Sequence, residues 1–183
     1  MIKKNDSDIS IEDVLNQAAQ AVSSAGEIVI KHLNKPKNIY HKGSIDLVTE
    51  TDLAVEEYLK EKLGQILPKA DFLAEETAED MVPKELTWII DPLDGTTNFA
   101  HGFPFVAISV GLWNKNRIEA GLVYLPILGE LFTASVGQGA FLNGSAISVS
   151  GHKNLQDSLV ATGFPYWKAE KMDLLLGYLG KVL

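Results

Sequence analysis

The chain has 183 residues, with 16 Lys and Arg against 24 Asp and Glu, a net charge of −8, and no cysteine. That length suits one domain or little more, and it buries roughly 70% of the unfolded surface without staples. The absence of cysteine excludes disulfides, cysteine-ligated zinc, iron–sulfur clusters and a thiol nucleophile, and the acidic balance argues against a direct grip on nucleic acid, which needs a basic face.

The first element is a helix. Ile11, Val14, Leu15, Ala18, Val22, Ala25 and Val29 recur at the three-and-four spacing of one helical face. Ser10 is placed to cap it, with Asp13 three residues on, and Asn34, Pro36 and Asn38 end it. Residues 35–44 read as a loop. A second helix starts near Thr51, with Val55, Leu59, Leu63 and Ile66 on its buried face, and Glu56, Glu57, Lys60, Glu61 and Lys62 on its wet face. Asp52 then falls in its first turn, where the helix dipole favours a carboxylate. Pro68 closes it.

Strands follow. Asp71–Ala74 leads into Glu75-Glu76, and Trp88–Ile90 leads into Asp91. Phe105–Trp113 reads as a central strand, joined through a turn at 114–116 to a returning strand over Arg117–Tyr124. Further strands are expected at Glu130–Ser135, Ala146–Ser150 and Leu159–Thr162, with turns at 137–139 and 143–144. Lys171–Leu183 reads as a helix. Two helices followed by a meander of strands predict an α+β fold, with helices packed on one side of a largely antiparallel sheet. No apolar run follows Met1–Asp8, so no signal peptide is read, and no stretch approaches the ~20 apolar residues of a membrane span. A cytoplasmic protein with no membrane partner is the expectation.

The chemistry gathers at the ends of apolar strands. A carboxylate just past a buried strand is costly to leave unpaired; a cap, a basic partner or a metal satisfies it. Basic residues are scarce near Glu75, Glu76, Asp91 and Asp94, and hard oxygen ligands with no His or Cys among them suit Mg2+ or Mn2+ rather than zinc. In Asp91-Pro92-Leu93-Asp94-Gly95-Thr96-Thr97-Asn98, Pro92 is expected to fix a turn that aims Asp91 and Asp94 at one place. Leu93 can offer its carbonyl there, and Gly95-Thr96-Thr97 can present backbone N–H groups to an anion. Taken singly, each feature is an ordinary turn, loop or cap. Together they supply cation ligands beside a phosphate cradle, the combination that phosphoryl transfer needs.

The run Ile89–Phe99 with His101-Gly102-Phe103-Pro104 resembles the first signature of the inositol monophosphatases. Asp46–Asp52, Glu75-Glu76-Thr77, Gly139–Gly144 and Val160–Phe164 resemble further segments of that family in order and spacing, including its bacterial extragenic suppressor branch. The resemblance implies a layered α/β sandwich and a Mg2+-dependent phosphomonoesterase using two or three Mg2+ ions, with Mn2+ as an alternative. Glu75, Asp91 and the Leu93 carbonyl would hold one ion, and Asp91 and Asp94 a second. Glu76 would act as a supporting catalytic carboxylate. Thr96, hydrogen-bonded to Asp52, would orient and help deprotonate the attacking water. Asp94, Gly95, Thr96 and Lys42 would lie on the substrate side. The implied substrate is an inositol monophosphate or a similar polyol or sugar phosphate, with fructose 1,6-bisphosphate or a nucleotide phosphate as alternatives. Lithium inhibition, a homodimer and, as a non-catalytic alternative, a role in a transcription complex are also implied. Two departures stand out. Ala74 replaces the family's usual Gly before the two acids, and nothing in 165–183 matches its later Trp-Asp segment. Residues 1–150 would thus be a metal-binding α+β domain, and 151–183 the start of an incomplete C-terminal α/β domain.

Overall fold

Ser10 and the apolar stripe behind it produce the first helix as expected. α1 (Ile11–Leu33) is capped by the Ser10 hydroxyl, which accepts the Asp13 N–H at 3.0 Å and donates to the Asp13 carboxylate at 2.7 Å, so one of the free N–H groups of the first turn is satisfied. Val14, Ala18, Val22, Ala25 and Val29 are fully buried. α2 (Glu50–Ile66) buries Val55, Leu59, Leu63 and Ile66. Glu56 departs from expectation: it is buried, at 2% exposure, rather than on the wet face. It lies one turn beyond Asp52, and one residue after Val55, on the stripe that faces the sheet.

The computed structural model describes residues 2–4, 7–33, 39–41, 47–77, 82–161 and 172–182. Two small hairpins sit at the N-terminal end: β1 (Ile2–Lys4) with β2 (Ser7–Ile9), and β3 (Ile39–His41) with β4 (Leu47–Thr49). The β3 strand lies within the expected 35–44 loop, where the alternation is too short to register as a strand signal.

The main sheet has seven strands: β5 (Asp71–Ala74), β6 (Leu86–Asp94), β7 (Ala107–Asn114), β8 (Arg117–Leu125), β9 (Glu130–Ser135), β10 (Gly139–Leu142) and β11 (Ser145–Ile147), in the order β11-β10-β9-β8-β7-β6-β5. Every neighbouring pair is antiparallel except β5 and β6, which run parallel. The β7–β8 turn carries Lys115 and Asn116 at φ 47° and 71°, and the β10–β11 turn carries Asn143 and Gly144 at φ 48° and 79°, the left-handed pairs that match strand twist.

α1 and α2 pack on one face of this sheet, against Trp88, Ile90, Ile108, Val110, Leu112 and Leu122. The alternate residues Ile89, Gly111, Gly121 and Val123 line the opposite face, with Ala134 and Phe141, around an apolar hollow of about 710 Å3. Glu75 and Asp91 stand at its edge. Residues 1–148 form one compact unit and 149–183 a second. Among its described residues the second contains a 3-10 turn, η1 (Leu155–Asp157), and α4 (Met172–Val182). Leu159–Ala161, expected to be a strand, has no regular structure, and Thr162 lies outside the described residues. Among the described residues no helix is long and apolar enough to cross a membrane.

Two helical glycines make the packing testable. A Cβ on Gly26 of α1 would overlap Tyr124 Cε1 and stand 3.0 Å from Pro126 Cβ, whereas one on Gly64 of α2 would meet only Phe72, at 3.7 Å. Gly64→Ala is expected to stabilise the protein by about 0.5–1 kcal/mol through helix propensity. Gly26→Ala is expected to destabilise it by about 1–3 kcal/mol through overpacking. Thermal unfolding of the two variants checks the opposite signs.

Candidate active site

The β6 strand carries its acidic residues through a local irregularity. Asp91 pairs with Ser109 and Asp94 with Ala107, so three steps on β6 oppose two on β7, the signature of a β-bulge. Pro92, which has no N–H for the ladder, sits inside it. The expected turn at Asp91–Asp94 is therefore the bulged end of a strand. The Leu93 N–H donates to Asp91 Oδ1 at 3.2 Å. Gly95 follows at φ 89°, and a Cβ there would stand 3.1 Å from the Phe105 carbonyl oxygen, so this position demands glycine. α3 (Thr96–Ala100) begins immediately after it.

The start of α2 is tied to that segment by one buried carboxylate. Asp52, 1% exposed, closes a capping box with Thr49. The Thr49 N–H and hydroxyl both donate to Asp52 Oδ2, at 2.9 and 2.5 Å, and the Thr51 N–H donates to Thr49 Oγ1 at 3.2 Å. The other oxygen, Oδ1, lies 2.9 Å from the Thr96 hydroxyl, which is also 3.0 Å from the Leu93 carbonyl. Asp52 thus serves as a helix cap with one oxygen and binds Thr96 with the other.

Parallel pairing sets the remaining acid. Ala74 is opposite Ile90, so Glu75 and Asp91, the next residue on each strand, emerge side by side. The Glu75 N–H donates to the Ile90 carbonyl at 3.1 Å. The Asp91 carboxyl is pushed up to about 7, first by burial, then by the charges of Glu75 and Asp94, and by a side-chain hydrogen bond with Glu75. Glu76 is half-buried, and its N–H donates to Glu56 Oε2 at 3.0 Å. Lys42 lies outside the described residues.

Among the described residues no three His, Asp or Glu side chains stand in a preformed metal cluster. Asp91 instead has Glu75 and Asp94 near enough for their charges to bear on it, and none of the three forms an ion pair with a described Lys or Arg. Their donor set, carboxylates plus a carbonyl, fits a hard divalent cation, whose charge would relieve the repulsion that raises Asp91.

The structure joins Asp52 to Thr96, Glu75 to Asp91, and Thr96 to the Leu93 carbonyl. The sequence pattern of the inositol monophosphatase family matches residues 10–177. The chain belongs to the inositol monophosphatase family. It is 48% identical over 157 residues to inositol monophosphatase 3 of Solanum lycopersicum, covering 84% of this chain and 59% of that protein. It is 36% identical over 172 residues to the Nus factor SuhB of Escherichia coli, covering 92% of this chain and 64% of the other. The crystal structure of the extragenic suppressor protein SuhB from Bartonella henselae superposes with a TM-score of 0.85 at 37% identity, over 93% of this chain and 66% of that one. The chain therefore spans about three-fifths of the length of these relatives.

Glu56 and Thr49 are the site-supporting residues that sequence reasoning missed. For Glu56 a signal existed: it follows Asp52 by four residues, on the same helical face.

The raised Asp91 carboxyl gives a pH test. A group whose folded-state pKa exceeds its unfolded value contributes stability that is complete below the unfolded value and is lost as pH rises through the folded one. With a chelator present, this contribution is lost between the ordinary value of 3.8 and about 7. Asp91→Asn, which cannot ionise, is expected to match wild type near pH 4 and to exceed it in stability at pH 8. A difference between the two that does not change with pH, in urea titrations, contradicts this.

Proposed function

We propose that this chain carries the metal- and phosphate-binding part of a Mg2+-dependent phosphomonoesterase. Its substrate would be a small phosphorylated polyol, inositol monophosphate foremost. The observation that carries the reading is the Asp52–Thr96 hydrogen bond set beside Asp91, whose carboxyl feels the charges of both Glu75 and Asp94. Kinship with proteins named inositol monophosphatase supports the substrate class.

Bound Mg2+ would neutralise phosphate charge and make water acidic enough to attack at neutral pH. Glu75, Asp91, Asp94 and the Leu93 carbonyl would hold it. The remaining work falls to the protein's own groups. Thr96 has one hydroxyl proton, and both of its neighbouring acceptors, Asp52 Oδ1 and the Leu93 carbonyl, draw that proton away from solvent. Its oxygen is left with lone pairs to accept a proton from an attacking water, while its own proton passes to Asp52. Because Thr49 occupies Asp52 Oδ2, only Oδ1 faces this exchange. Gly95, the N-cap of α3, and Thr96, its first residue, have backbone N–H groups with no intrahelical partner, and these would hold phosphate oxygens. Glu76 would support the carboxylate group from the neighbouring position.

Phosphate release from inositol 1-phosphate tests this reading. It should require Mg2+, disappear with chelator, and vanish in Asp91→Asn. Thr96→Ala should lower kcat by about 100-fold or more, the size of a general acid–base contribution, with KM changed far less. Release that ignores Mg2+, or equals the Asp91→Asn background, refutes it. Kinship with the Nus factor SuhB supports a second, non-catalytic reading. Retention of RNA polymerase by the chain, with no phosphatase activity, would favour it.

A further inference from the structure

Among the described residues, Glu56 is the buried carboxylate that the proposed chemistry does not use. It sits on α2, one turn after Asp52, at 2% exposure. Both of its oxygens are engaged beyond simple packing. Oε2 accepts the Glu76 N–H at 3.0 Å. Oε1 accepts the Thr77 hydroxyl at 2.5 Å and the Lys60 ammonium at 2.8 Å. Lys60 Nζ also bonds Thr77 Oγ1. A buried carboxylate is costly to desolvate, and an apolar side chain of similar size would pack at least as well. What an apolar residue cannot do is accept a backbone N–H and a hydroxyl at fixed positions.

Those positions belong to the turn that carries Glu75. The turn is pinned on three sides. The Glu75 N–H reaches the Ile90 carbonyl at 3.1 Å, the Thr77 N–H reaches the Ala74 carbonyl at 3.2 Å, and Glu56 holds the Glu76 N–H and the Thr77 hydroxyl. The first two anchors come from the sheet. The third comes from the helix that also holds Thr96 through Asp52. Asp52 and Glu56, four residues apart, are separated by about 6 Å along the helix axis. One helical turn of α2 therefore grips both acid-bearing segments, the Glu75–Thr77 turn with Glu56 and the Leu93–Thr96 segment with Asp52.

We propose that Glu56 is a positioning residue. It holds the Glu75 carboxylate at the separation from Asp91 at which the two share one divalent cation. This rests on the reading of Glu75 and Asp91 as cation ligands.

Calorimetric titration of the 183-residue chain with Mn2+ tests it, beside melting curves taken in chelator. Glu56→Gln keeps size and loses one acceptor, so Mn2+ binding to the folded variant should weaken by about 10- to 100-fold, the usual effect of removing a group that orients a ligand. Thr77→Val changes no charge and should weaken binding in the same direction by a smaller factor. That variant separates positioning from the loss of a negative charge, and it keeps the test alive should Glu56→Gln fail to fold. Asp71→Asn, which breaks only the exposed pair with Lys84, should bind as wild type does. In a Glu75→Gln background, Glu56→Gln should cost no further affinity, because its effect passes through Glu75. Lower melting temperatures with unchanged Mn2+ affinity in both Glu56→Gln and Thr77→Val would overturn the proposal alone. Additive losses in the Glu75→Gln background would also overturn it. Failure of the wild-type chain to take up Mn2+ would overturn the cation reading, and the proposal with it.

Discussion

The Asp52 carboxylate, buried at the first turn of α2, joins the helical layer to the acidic end of β6. Its two oxygens have different tasks. One closes the capping box with Thr49, and the other binds the Thr96 hydroxyl beside the Leu93 carbonyl. Burying a carboxylate without partners is unfavourable, so this geometry stands only with Thr49 and Thr96 both in place. The start of α2, the bulge in β6 and the start of α3 are thereby fixed relative to one another. The same carboxylate that caps a helix with one oxygen holds the proposed proton acceptor, Thr96, with the other.

The sheet supplies the second half of the arrangement. Among the described strands only β5 and β6 run parallel, and parallel neighbours end together, so the residues that follow Ala74 and Ile90 emerge side by side. An antiparallel pair would have carried Glu75 and Asp91 to opposite edges. The bulge between Asp91 and Asp94 then brings a third carboxylate round. The result is a local concentration of negative charge: burial first, and then the charges of Glu75 and Asp94, push the Asp91 carboxyl up. Such repulsion weakens the fold by itself, and a bound cation is what would convert it into affinity.

Much of this was legible in the sequence where a local rule operates alone. The stripe from Ile11 to Val29, the Ser10 cap, and the turn residues at 115–116 and 143–144 act within a few positions, and the structure follows them. Asp52, Thr96, Glu75 and Asp91 were visible as a pattern, because their residue types and order are specific. What stayed hidden depends on contacts between distant segments. Glu56 lies among Glu57, Lys60, Glu61 and Lys62, and that company reads as a solvated face; its burial follows from the Glu76 N–H and the Thr77 hydroxyl, twenty and twenty-one residues away. Asp91–Asp94 reads locally as a turn because of Pro92, yet pairing with β7 carries the strand through to Asp94. Leu159–Ala161 reads as a strand from its apolar residues but forms none.

The central claim is that Glu75, Asp91 and the Leu93 carbonyl converge on one divalent cation. An anomalous difference map from crystals of this chain grown with saturating Mn2+ tests it directly. The account predicts a peak within bonding distance of the Glu75 and Asp91 carboxylates and the Leu93 carbonyl oxygen. A map with no peak there, or with Mn2+ bound only by other residues, would contradict it.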